Sequence, residues 1–359
     1  MTTRRAYIDH LRGVAVLLML VAHTFDAWTA DAARPTEGFR RVLVLGGFGA
    51  PLFLWLAGVA LALSAERAVR AGGGRRAAAL SVFRRGVELF LLAFLFRLQA
   101  FILSPGAWPV TLFRVDILNI MGPSIAAAGL VWGIWGNRIA ITAAYAALAM
   151  AFAMSAPILQ TAAWVNDLPV WVQWYLRPAG VDTNFTLFPW AGFVLAGAAA
   201  GALIAGARDQ RAEMRVQLSL AAAGAGLTAV GIYSASLPSI YRQASFWTSS
   251  PTFFAIRTGA MMLALAAAYG LARAAANRGR LPAVLERLGR RSLFVYWIHV
   301  ELVYGYATWP IRHKLELWQT GLACATFSAA MYGMVLLRGR LLDRGSVGRA
   351  SPAASFSNS

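Results

Sequence analysis

Arg12 and His23 lie in one apolar stretch with ten residues between them, from Tyr7-Ile8-Asp9-His10-Leu11-Arg12-Gly13 to Val21-Ala22-His23-Thr24-Phe25-Asp26. On an α-helix eleven steps close about three turns, so both side chains share a face, about 16 Å apart along the axis. That is about half the thickness of a bilayer core. An ionisable group inside a membrane helix costs several kcal/mol, which makes it a functional candidate by default. An imidazole can take a proton near neutral pH, and a guanidinium can hold an anion. A cation at one membrane face and an imidazole halfway across describe a site reached from both sides. Asp26, three residues past His23, shares that face. Either it accepts from one ring nitrogen and raises the basicity of the other, or it ends the helix in water.

Further polar residues sit in apolar surroundings. His299 follows Ser292-Leu293-Phe294-Val295-Tyr296-Trp297-Ile298, with Glu301 two residues on. Glu88 and Arg97 share one segment but are too far apart to pair. Arg97 reads either as a structural ion-pair or snorkelling residue or as part of a polar site. Arg114 and Asp116 open the next segment. Asp116 could cap that helix, or the pair could rim a cavity that binds a polar acceptor. Arg257 enters a later segment, and Trp190 lies in Phe188-Pro189-Trp190-Ala191-Gly192. No His-x-x-x-His spacing points to a metal site, so none is expected. There is no Walker A loop and no Gly-x-Ser-x-Gly elbow.

These residues need elements to position them. The chain has 359 residues, 59% hydrophobic and only 13% charged. A soluble domain carries about 25% charged residues, so the class is an all-α polytopic membrane protein. Ten apolar segments are long enough to span, at about 11–28, 42–64, 83–104, 115–134, 138–156, 185–206, 215–236, 252–274, 291–309 and 316–337. The ninth is short and needs support from its neighbours. Gly136-Asn137-Arg138 makes a tight hairpin between the fourth and fifth.

With the N-terminus inside, 23 of the 33 Lys and Arg residues fall on the cytoplasmic side, and the even number of spans puts the C-terminus there too. The net charge of +18 is thus explained by topology, and no nucleic-acid partner is expected. The lone Cys324 cannot form an intramolecular disulfide. Arg4, Arg5 and the following apolar run resemble a signal peptide but read as an uncleaved first helix. The expected organisation is one transmembrane domain over 1–340 and a disordered basic, Ser-rich tail over 341–359. The outer loop at about 157–184, with Trp164, Trp171, Trp174 and Tyr175, reads as an aromatic belt or as a lid that stacks on a sugar.

The Arg-(x)10-His pattern, with Asp9 before it and Gly13 after Arg12, resembles the signature of the transmembrane acyltransferase superfamily. Pro51-Leu52-Phe53-Leu54-Trp55-Leu56-Ala57-Gly58, Phe113 to Leu118, Phe188 to Gly192 and Leu288 to His299 agree with the branch related to the heparan-α-glucosaminide N-acetyltransferase catalytic domain, including bacterial members. The resemblance runs from about 4 to 335. It implies transfer of an acyl group, acetyl first among the choices, from cytoplasmic acyl-CoA to a sugar or glycoconjugate outside. Carried over, His23 is catalytic and Arg12 serves the donor phosphates. Asp26 and His299 join the catalytic set, and Arg84, Arg85, Arg290 and Arg291 join Arg12 at the donor mouth. Arg97, Arg114, Asp116, Trp190 and Arg257 are expected to meet the acceptor. The animal enzyme's amino-sugar substrate is not carried over, because no long lumenal domain is visible here.

Imidazole chemistry fits either direct transfer, with His23 as base, or a transient acyl-histidine. The competing readings are a carrier or flippase using the buried Arg and His, and a scaffold in which they act as helix glue. The absence of a visible repeat counts against a carrier. The expected setting is a bacterial inner membrane, with lipid as a partner and a homodimer left open. The acceptor, the acyl group and the choice of N- or O-acylation are not set by the residues.

Overall fold

The computed structural model describes residues 5–104, 108–179, 183, 185–276 and 283–347. Among them the chain forms helices and short 3-10 turns and no strand. In order these helices are α1 (Ala6–Trp28), α2 (Glu37–Gly46), α3 (Gly49–Arg70), α4 (Arg75–Leu103), α5 (Ile117–Ile134), α6 (Arg138–Thr161) and α7 (Val170–Leu176). They continue as α8 (Leu187–Gly206), α9 (Gln210–Ala235), α10 (Pro251–Ala276), α11 (Ala283–Arg290), α12 (Ser292–Tyr304) and α13 (Leu317–Val347). Nine stretches among the described residues are long and apolar enough to cross a membrane, with α2 and α3 counted as one. The chain is an all-α polytopic membrane protein.

The expected ninth span differs. Instead of a helix over 291–309 there is α12, of 13 residues. At 1.5 Å per residue it is about 20 Å long, too short for a bilayer core of about 30 Å. Arg291 leaves helical geometry at its start and Gly305 is extended at its end. The expected second span is also divided, with Gly47 and Phe48 between α2 and α3. At that junction Gly46 packs on Ala22 and Gly49 on Met19, an approach that a side chain would block. The expected hairpin is present, with α5 ending at Ile134 and Asn137 capping α6. The last helix runs to Val347, into the stretch expected as tail, and residues 348–359 lie outside the described residues.

Ion pairs mark one end of the bundle. Arg5 meets Glu213 at 2.8 Å, Arg138 meets Glu66 at 3.0 Å and Arg290 meets Asp9 at 3.8 Å. This is the proximal end, where α1 starts. The distal end holds Trp28, Tyr304 and the turns beyond them.

Small residues allow the central helices to touch backbone to backbone. A methyl group on Gly197 of α8 would lie 1.9 Å from the Trp55 carbonyl of α3, and one on Gly58 would lie 2.0 Å from the Val194 carbonyl. In a bilayer, where lipid tails match apolar side chains, such close packing drives association.

Helix α1 is the element on which the site depends, and the chain from α11 to α13 holds it at both ends. Proximally, Gly289 of α11 sits so close to α1 that a methyl there would lie 1.9 Å from the Asp9 carbonyl. Distally, the link before α13 is tied to the end of α1 through backbone bonds. His313 N–H donates to Ala27 at 3.0 Å, Leu315 N–H to Trp28 at 3.0 Å and Ala30 N–H to Leu315 at 2.8 Å. Helix α12 lies between these two attachments. Its register against α1 is thereby fixed.

Candidate active site

That register brings His23 and His299 together. His23 Nδ1 lies 3.0 Å from His299 Nε2, and the rings are stacked at 5.0 Å between centroids and 25° between planes. The other nitrogen of His299, Nδ1, lies 2.9 Å from the Val295 carbonyl, one turn back on α12. A carbonyl only accepts, so His299 Nδ1 carries a proton and its Nε2, in the neutral ring, has a lone pair. His23 must then donate from Nδ1. Its Nε2 is left with a lone pair, which is the form a general base requires. His299 is fully buried and His23 half-buried.

Of the two readings of Asp26, the one that places it on a His23 ring nitrogen gives way to this pairing. Asp26 is exposed, and its carboxylate accepts instead from Tyr304 Oη at 2.9 Å. Arg34 reaches it at 3.9 Å and also donates to its backbone carbonyl. Asp26 sits at the distal rim, and its charge still bears on His23, as does that of Asp116. Tyr304 also places its ring edge-on to His23, with centroids 5.5 Å apart.

A second group forms against α12. Asp116 caps α5, accepting from the Ile117 N–H at 2.6 Å, while Asn119 closes the capping box. The same carboxylate accepts from Tyr296 Oη at 2.9 Å and from Arg97 at 3.3 Å. The cap and ion-pair readings of Asp116 and Arg97 are therefore both realised, in one cluster. Tyr296 lies one turn before His299, with ring centroids 5.8 Å apart. This joins the Asp116 cluster to the histidine pair.

Glu301 is buried, and among the described residues neither of its carboxylate oxygens meets a hydrogen-bond donor. Arg97 is within electrostatic reach of it, and the Arg97 Nε is also buried without an acceptor. Two such groups in the interior mark a place where polar atoms are expected to be met.

Arg114 is half-buried just before Asp116. Trp190 packs in an aromatic cluster with Phe185 and Phe193. Arg257 stands elsewhere, over the Phe253 ring at 4.0 Å and beside Phe48 at the α2–α3 junction. Of the distal loop, Trp174 is buried in a cluster with Val115 and Ile120, whereas Trp164 and Trp171 are exposed.

At the proximal end a cavity of about 450 Å³ opens among α1, α3, α4, α5 and α12. Arg12, Arg67 and Arg85 line it, with Ser64, Ser81 and Ser292 between them. The five arginines expected at a donor mouth are divided by the structure. Arg12 and Arg85 face this cavity, Arg290 and Arg291 face a separate groove, and exposed Arg84 lines neither. Arg67 was not anticipated, although Ala60, Ser64 and Arg67 share one face of α3 by spacing alone.

The inner end of the cavity is apolar, at Phe53, Met121 and Leu293. Along α12 the order toward the distal end is Leu293, Tyr296, His299, so His299 lies about 9 Å beyond the cavity wall. Buried Tyr296, packed on buried Phe96 at 5.3 Å, lies between. The cavity covers the proximal part of the path expected from Arg12 to His23, and its lining includes neither the buried Tyr296 nor His23. Tyr296, Tyr304 and Arg34 were not singled out from the sequence. The three-residue spacing of Tyr296 to His299 was the available signal.

The family described as heparan-alpha-glucosaminide N-acetyltransferase, catalytic, matches residues 4–242. No curated protein shows a significant match to the chain. The matched part holds Arg12, His23, Asp26, Arg97, Asp116 and Trp190 and stops short of the 335 expected from the motifs. His299, which completes the histidine pair, lies beyond it. With two thirds of its length matched and nine stretches among the described residues long and apolar enough to cross a membrane, the chain belongs to the family of the heparan-alpha-glucosaminide N-acetyltransferase catalytic domain, a family of membrane acetyltransferases.

Proposed function

We propose that the protein transfers an acetyl group from cytoplasmic acetyl-CoA to a sugar or glycoconjugate on the other side of a bacterial inner membrane. The observation that carries this reading is the His23–His299 pair, which leaves a lone pair on His23 Nε2 within a family of acetyltransferases. The proximal end, with most of the arginines in the sequence, faces the cytoplasm in this reading.

Arg12, Arg67 and Arg85 receive the CoA phosphates at the cavity mouth. The thioester approaches His23 past Tyr296, which must turn aside. The acceptor enters from the distal rim, where Asp26, Tyr304, Asp116, Arg97 and Arg114 offer hydrogen-bond partners. His23 Nε2 takes the proton from the acceptor hydroxyl or amine as its oxygen or nitrogen bonds to the acyl carbon. The carbon–sulfur bond breaks, and the CoA thiolate leaves. His299 accepts from Nδ1–H throughout and holds the imidazole in the required tautomer. Trp190 and Arg257 shape the acceptor side from farther out. The transmembrane unit covers 1–340, and no metal takes part.

The test gives purified protein labelled acetyl-CoA and a mixture of periplasmic glycans, comparing wild type with His23→Ala and Arg12→Ala. Loss of labelled product in His23→Ala with donor binding retained supports the reading. Wild-type turnover by folded His23→Ala overturns it.

A further inference from the structure

A second basic concavity lies at the proximal end and takes no part in the chemistry above. It is a groove of about 550 Å³ between α11 and α13, lined by Arg287, Arg290, Arg291 and Arg340 with Val335, Leu336 and Gly339. Four guanidinium groups therefore face an apolar wall. Among the described residues, Arg290 alone of the four is paired with carboxylates, to Glu286 and to Asp9 at 3.8 Å. Arg287 donates to Tyr332 Oη at 3.2 Å, so its charge is not neutralised. Arg291 and Arg340 are both exposed.

The groove shares no lining residue with the Arg12 cavity. The two stand back to back across the first turn of α12, with Arg291 on one side and Ser292 on the other. Beside the groove α13 exposes Leu337, Leu341 and Leu342. In a polytopic membrane protein such a face meets acyl chains. A ligand in the groove thus meets cations at its head and lies beside a lipid-facing helix surface along its length.

We infer that this groove binds the phosphate headgroup of an anionic phospholipid, its acyl chains lying along α13. The guanidiniums match phosphate oxygens in charge and in bidentate geometry, and basic pockets between membrane helices suit such headgroups. A lipid held here bridges α11 and α13, the two elements flanking α12. Occupancy therefore steadies the helix that carries His299. The binding itself does not depend on the proposed reaction or on the orientation of the protein.

The experiment uses the full chain in nanodiscs of dioleoyl phosphatidylcholine with increasing dioleoyl phosphatidylglycerol. Wild type is compared with the double variant Arg287→Gln/Arg340→Gln and with Arg67→Gln. The readouts are thermal unfolding, bound phosphatidylglycerol by native mass spectrometry, and CoA binding. Wild type is expected to bind phosphatidylglycerol and to unfold at higher temperature as its fraction rises. The double variant should bind the lipid about tenfold more weakly and lose that rise, while unfolding in pure phosphatidylcholine as wild type does. Arg67→Gln should keep the lipid response. Equal phosphatidylglycerol binding by wild type and the double variant overturns the inference. Displacement of the lipid by CoA also overturns it and reassigns the groove to the donor.

Discussion

The two ends of α12 differ in how their polar groups are held. At the distal end His299, His23, Tyr304, Asp26, Tyr296, Asp116 and Arg97 are tied by hydrogen bonds of 2.9 to 3.3 Å that cross four helices. At the proximal end Arg12 and Arg67 line an open cavity beside an exposed Arg85, whose bond goes to Glu88 on its own helix. The first arrangement fixes one tautomer and one ring orientation. The second gathers positive charge around an open cavity. A reacting centre needs the former, because misplacement by about 1 Å costs about a hundredfold in rate. Capture of a flexible polyphosphate needs only the latter.

Substitutions should therefore divide by end. The largest effect is expected for His23→Ala, which removes the base and lowers the transfer rate constant by about 10²–10⁴-fold, with donor affinity unchanged, as measured by single-turnover acetyl transfer. Equal loss of donor binding would break the contrast between the ends. Next is Asp116→Ala, which strips Arg97 and Tyr296 of their shared acceptor. It should cost about 2–3 kcal/mol of stability, seen as a lower unfolding temperature in detergent. If Asp116→Ala instead unfolds like wild type, the cluster is not what holds α5 to α12.

Smaller effects belong to the proximal end and the rim. Arg67→Gln should raise the KM for acetyl-CoA about tenfold at unchanged kcat, because it removes one phosphate contact at the mouth. A fall in kcat with KM unmoved would place Arg67 in the reacting centre and blur the division. Tyr304→Phe keeps the ring against His23 and loses the bond to Asp26. A fall of about threefold in kcat is expected, close to the worth of one hydrogen bond at an exposed carboxylate.

The helices were legible from apolar length alone, because a bilayer sets both length and composition. Two departures had local causes. The junction between α2 and α3 follows from glycines needed for contact with α1, and hydropathy does not register contact. The short α12 follows from breaks at Arg291 and Gly305, within a run that reads as continuously apolar. At the site, His23, Asp116 and Arg97 were visible because a buried charge is conspicuous in apolar sequence. Their partnerships were not visible. Asp26 was the neighbour in sequence, yet His299, 276 residues away, holds the ring nitrogen. That pairing depends on α11 and the link before α13 clasping α1, which no local pattern encodes. Tyr296 and Tyr304 escaped notice because an aromatic residue in a membrane segment ordinarily packs or marks an interface.

The central claim is that His23 and His299 work as one unit, the second orienting the first. A double-mutant cycle on the single-turnover rate, using His23→Ala, His299→Ala and the double variant at saturating acetyl-CoA, tests this most directly. The expected result is that His299→Ala alone slows transfer by at least about tenfold and that the double variant is no slower than His23→Ala. Multiplication of the two losses in the double variant, or an unslowed His299→Ala, would contradict it.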